Sequence, residues 1–125
     1  MKNNDKGIDL DYIRTMISYA EKTGQIIDKA NKYGIPLRDE MVIDSLAMNL
    51  GQIGEQLDTK KISKNLQKKY AHLIEWSSIK KFRDKAYHHY SKLDGRFILR
   101  TTIDIIPELL VSLRIIERDL EKELE

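Results

Sequence analysis

Apolar side chains recur along this chain at spacings of three, four and seven, the repeat of one face of an α-helix. The first such stripe, Leu10, Ile13, Met16, Ile17, Ala20, Ile27 and Ala30, predicts a helix from about Asp9 to Tyr33. Gly34 suits its left-handed stop, and Pro36 is placed to open the next helix. Met41, Leu46, Leu50, Ile53 and Leu57 carry that second helix to about Leu57. Within it Gly51 and Gly54 strip side-chain bulk from neighbouring turns, which predicts close approach of another helix. The other reading of those glycines, a phosphate loop, lacks both the Lys-Ser/Thr pair and the preceding strand.

A short helix is expected between an N-cap at Ser63 and Tyr70, then a connection over residues 71–75. Trp76 to about Tyr87 forms a further helix with Ile79 and Phe82 inward, and the single tryptophan is read as a core anchor. From Asp94 a long helix carries Phe97, Thr101, Ile105, Leu109, Leu113 and Ile116 and ends in an exposed acidic tail, Glu117 to Glu125. Pro107 within it removes a backbone donor and should kink it. No strand-like alternation persists anywhere. The expected fold is all-α: an antiparallel, up-and-down bundle of four to five helices, one domain over residues 1–125 with loose ends at 1–7 and 121–125.

Composition narrows the chemistry. With no cysteine among 125 residues, disulfides, thiolate metal sites and cysteine nucleophiles are all excluded. The polar start, Met1-Lys2-Asn3-Asn4-Asp5-Lys6, and the lack of an apolar run near the roughly 20 residues that span a bilayer predict neither export nor membrane insertion, hence a cytoplasmic protein. Net charge is only +2, but its distribution is uneven. From Lys60 to Lys92 ten Lys or Arg face two acids, so this stretch carries +8 and the remainder −6. Such a segment can gather a polyanion, or can be a solvated lysine-rich face.

Arg83-Asp84-Lys85-Ala86-Tyr87-His88-His89-Tyr90 brings a fixed cation, a carboxylate, two imidazoles and two phenols into eight residues. Arginine grips a phosphate through two parallel hydrogen bonds, and histidine exchanges protons near neutrality. Phosphodiester cleavage needs both capacities. At about 100° per residue, Arg83 and Tyr90 share a helix face whereas His88 points some 140° from Arg83. Either the helix ends near Tyr87 and the turn returns His88 to the arginine side, or a second subunit completes the site. Asp84, one turn before His88, is placed to fix its tautomer. His89 is read as structural or solvent-facing, and His72 as a loop residue.

Read as Arg-x4-His-x-Tyr, the residues Arg83, His88 and Tyr90 resemble the signature of HEPN domains of the HepT (DUF86) group. The order of landmarks agrees: Ile53-Gly54-Glu55, Tyr70, Trp76-Ser77-Ser78-Ile79, the arginine motif, Asp94 and Pro107-Glu108-Leu109. Asp84 stands where that group often has asparagine. The resemblance implies the toxin of a two-gene toxin–antitoxin pair, a metal-independent endoribonuclease that needs no cofactor. Arg83 and His88 would be catalytic, with Asp84, Tyr87 and Glu55 in support and Lys80, Lys81 and Lys85 drawing the RNA backbone. It further implies a homodimer with the active cleft at the interface, and a minimal nucleotidyltransferase antitoxin that transfers AMP to Tyr90. Two other readings compete: a module that only binds nucleotides or a nucleotidyltransferase, and a purely structural helical dimer.

Overall fold

The computed structural model describes residues 3–58, 61–88 and 92–125, and every element in them is helical. Helix α1 spans Asn3–Lys32, α2 Glu40–Glu55, α3 Lys64–Lys69, α4 Trp76–Tyr87, α5 Lys92–Arg100 and α6 Ile106–Leu124. A five-residue π-helical turn, Thr101–Ile105, joins α5 to α6 without a break. The all-α bundle expected from the repeat is the fold. Its main packing runs from α4 to α2, from α2 to α1 and from α1 to α6, with α5 resting on α2.

One continuous core fills the bundle. Ile13 and Met16 of α1, Leu46, Leu50 and Ile53 of α2, and Leu113 and Ile116 of α6 are all within 1% of complete burial. Tight packing of this kind supplies most of the stability of such a domain. Trp76 lies in the core as anticipated, its indole Nε1 sealed from solvent without a hydrogen-bond partner among the described residues. Gly34 adopts φ +68°, the left-handed conformation that ends α1 with little steric cost.

The start of α2 differs from the sequence reading. Pro36 sits in a turn, its carbonyl accepting from the Asp39 N–H at 2.9 Å, and Asp39 is the cap, its carboxylate accepting from the Met41 N–H at 2.9 Å. Helix α2 therefore begins at Glu40, and Met41 is 80% exposed instead of inward. Leu57 lies past the helix end but stays buried.

The disruption predicted at Pro107 takes the form of the π turn. Proline lacks an N–H and its ring collides with the carbonyl four residues earlier in an α-helix. Here the Ile106 N–H reaches back five residues to the Thr101 carbonyl, so the wider turn makes room and Pro107 falls in the first turn of α6. The extra residue rotates the face as well. Thr101, Thr102 and Ile106 turn inward and Ile105 is 42% exposed, whereas the sequence stripe had placed Ile105 in the core.

The acidic end of the chain is tied down rather than free. Leu120 is buried, Glu117 and Glu121 pair with Arg14 at 3.3 and 3.0 Å, and Glu123 takes both Lys69 and Lys6. The Tyr70 hydroxyl donates to Asp119 at 2.9 Å, and burial together with that carboxylate raises the Tyr70 pKa far above its usual value. A second tie joins distant parts of the chain. The Asp9 carboxylate, fully buried in α1, accepts from both the N–H and the hydroxyl of Ser63 at 2.8 and 2.6 Å, while the same hydroxyl caps α3. Burying a carboxylate is tolerable when its oxygens are bonded in this way.

Candidate active site

Helix α4 approaches α2 closely because of the two glycines. A Cβ on Gly54 would lie 2.8 Å from the Arg83 backbone nitrogen and 3.1 Å from the Ile79 carbonyl oxygen. A Cβ on Gly51 would overlap the ring of Tyr87, which packs against that bare stretch of α2. The predicted close approach is thus between α2 and α4, and it sets the arginine against the second helix.

There the Arg83 Nε donates to Glu55 Oε2 at 2.8 Å, and its Nη1 lies 3.7 Å from Asp58. The other Glu55 oxygen takes Lys61 at 3.5 Å. A carboxylate bonded to Nε fixes the plane of the guanidinium while leaving most of its terminal N–H groups for another acceptor. Nearly half of the Arg83 side chain is open to solvent. One turn on, the Tyr87 hydroxyl accepts a hydrogen bond from Gln52 Nε2 at 2.9 Å. Since the phenol oxygen accepts there, its own proton is available to a third group. Gln52 has no counterpart in the sequence motif; its only signal is its place one residue after Gly51.

Helix α4 ends at Tyr87. His88 is its C-cap, with φ −118° and ψ 38°, and its N–H donates to the Asp84 carbonyl at 3.2 Å. The exposed His88 side chain lines a shallow hollow of about 390 Å³ together with Asp84, Lys85, Asp94 and Phe97. Asp84 and His88 therefore share one recess. Lys85 stands over the Phe97 ring at 4.6 Å and brings positive charge to its rim. Arg83 does not line this hollow; it leans on α2 while His88 faces α5.

Lys80 and Lys81 are exposed on α4, whereas Lys61 and Lys69 are engaged by Glu55 and Glu123, so the basic segment is partly neutralised. His72 is an exposed loop residue whose ring stacks on Tyr70. His89 and Tyr90 lie outside the described residues. Among the described residues no three His, Asp or Glu side chains are grouped to hold a metal ion, and no helix is long and apolar enough to cross a membrane.

A family model described as "Ribonuclease HepT-like" matches residues 16–116. Neither a curated protein nor a protein of solved structure matches the chain.

Proposed function

Because the chain belongs to the HepT-like ribonuclease family, we propose that it is a metal-independent endoribonuclease, the toxin of a toxin–antitoxin pair. The observation that carries this reading is the exposed guanidinium of Arg83, oriented by Glu55 at 2.8 Å, five residues before an exposed imidazole at the end of the same helix. In the proposed reaction His88 takes the proton of a ribose 2′-hydroxyl as that oxygen attacks the adjacent phosphorus. The bond to the 5′ oxygen breaks, and Arg83 meets the charge that builds on the phosphorane oxygens. A proton passes to the departing oxygen, for which a two-fold cleft supplies a second copy of His88. The products are a 2′,3′-cyclic phosphate and a 5′-hydroxyl, and no water is consumed in this step.

The separation of Arg83 from the His88 hollow supports a homodimer, in which two arginine motifs line one cleft. Met41 and Met48, 80% and 60% exposed, lie on the same face of α2 as Gln52 and Glu55 and offer apolar surface beside the arginine. Exposed Lys80, Lys81 and Lys85 would hold the RNA backbone through contacts that weaken with salt. The test is cleavage of a mixed-sequence RNA by purified protein in the presence of a strong chelator. Fragments with cyclic-phosphate and 5′-hydroxyl ends are expected; loss of cleavage on chelation, or ends bearing a 5′-phosphate, would overturn the mechanism.

We place control of the site at Tyr90. Its hydroxyl would attack the α-phosphorus of ATP on a minimal nucleotidyltransferase antitoxin, releasing pyrophosphate and leaving AMP on the phenol. A bulky anion beside Arg83 and His88 both occupies the cleft and repels RNA. Incubation with the partner and ATP is expected to add the mass of AMP to the peptide that holds Tyr90, and Tyr90→Phe to abolish the addition. Mapping of the added mass to Tyr87 would reassign the acceptor.

A further inference from the structure

The solvent face of α6 and of the turn before it carries an ordered set of charged and apolar side chains, of which Arg114 is the member the bundle engages in an ion pair among the described residues. Val111 is 62% exposed at the centre of this face. Three residues to either side stand Glu108 and Arg114, four to either side Pro107 and Ile115, and seven to either side Asp104 and Arg118, all exposed. Within α6 these offsets keep the set on one side of the helix, and Asp104 precedes it, exposed in the wider π turn. Read outward from Val111, each acid on the N-terminal side is answered by an arginine at the same offset on the C-terminal side, and each apolar residue by another.

We infer that this face is a self-association surface on which a second copy of the chain packs antiparallel, with the two-fold axis at Val111. In that arrangement Val111 meets Val111, Pro107 lies level with Ile115, and Asp104 of each copy faces Arg118 of the other. Reversing the second helix would set acid against acid and base against base, so the charges select the antiparallel arrangement. Asp104, Glu108 and Arg118 make no ion pair among the described residues, which leaves them available across such a contact. Arg114 holds Glu21 of α1 at 3.3 Å and flanks the seam from there. None of these residues lines the His88 hollow or touches Arg83, so the surface is separate from the proposed cleft and independent of the ribonuclease reading. A contact of one helix face per copy is small, and the association should be weak and dependent on concentration.

The test exploits the symmetry. In sedimentation of the full chain at low salt, Asp104→Arg and Arg118→Glu are each expected to weaken self-association by about tenfold or more. An equimolar mixture of the two variants should restore it. In the mixed pair the two substituted side chains, an arginine on one copy and a glutamate on the other, face each other at one end of the seam, while the unaltered Arg118 and Asp104 still meet at the other. If the chain also dimerises through the cleft, the same loss reads as tetramer to dimer. Since the chain has no cysteine, Val111→Cys places a lone thiol on the two-fold axis. Under mild oxidation it should form a disulfide-linked dimer far faster than Tyr33→Cys, a position of equal 62% exposure outside the stripe. Variants that associate as strongly as the parent, a mixture no better than its components, or equal cross-linking at both positions would overturn the inference.

Discussion

His88→Ala is expected to lower RNA cleavage by 10²–10⁴-fold or so, the usual contribution of a positioned proton-transfer group. The fold should survive, because the side chain is exposed and the backbone bond from the His88 N–H to the Asp84 carbonyl remains possible for alanine. Thermal melting within a degree or two of the parent, together with lost cleavage and lost growth inhibition, is the predicted result. Cleavage at the parental rate by a folded His88→Ala protein would remove this imidazole from the chemistry. Arg83→Ala should fall by a similar or larger factor, but with a second signature: Glu55 and Asp58 lose their shared cation, while Glu55 keeps Lys61. Weakened RNA binding should therefore accompany the lost rate in the arginine variant and be slight in the histidine variant.

The second large effect is structural and sits at Gly54. Alanine in place of a helical glycine normally gains about 1 kcal/mol from helix propensity. Here the added methyl would stand 2.8 Å from the Arg83 backbone nitrogen and 3.1 Å from the Ile79 carbonyl. Neither atom can swing aside, so α4 itself must shift, and overpacking of this kind costs about 1–3 kcal/mol. Gly54→Ala is expected to be destabilising by about 1 kcal/mol net, and Gly54→Val by appreciably more. Cleavage should drop in step, since displaced α4 carries Arg83 away from Glu55. Gly51→Ala provides the contrast: its methyl meets the ring of Tyr87, the 39%-exposed end of a side chain that can rotate outward. That variant should be neutral or slightly stabilised and should lose only the seating of Tyr87. Denaturant midpoints for the pair decide the matter; equal stability changes would refute the distinction between backbone and side-chain contact.

Much of this architecture was legible before any coordinates. Helices α3 and α4 have the bounds that Ser63, Tyr70, Trp76 and Tyr87 suggested, and the Ser63 side chain does cap α3. The glycine pair announced a helix crossing, and Glu55 beside it was a reasonable neighbour for the arginine motif. What failed were inferences that extended a regular repeat too far. Met41 fits the spacing of the α2 stripe yet lies in its first turn, before the helix is covered, and Ile105 fits the last stripe only if no π turn intervenes. The Asp9–Ser63 tie left no trace in the sequence, because it joins residues 54 positions apart and the local role of Ser63 as a cap says nothing of a partner on α1. The relation of His88 to Arg83 was less legible: α4 stops at Tyr87 as expected, yet the direction His88 takes follows from its own backbone angles at the C-cap and from the seating of α5, which no local pattern encodes.

One consequence of the carboxylate behind Arg83 concerns entropy. A free arginine side chain has about 2 kcal/mol of rotamer freedom to lose when it closes on a ligand. The bond from Nε to Glu55, with Asp58 beside the terminal nitrogen, extracts much of that loss during folding. An incoming phosphodiester thus encounters a group already aimed, and less of the binding energy of a long, floppy substrate is consumed in ordering the protein that receives it.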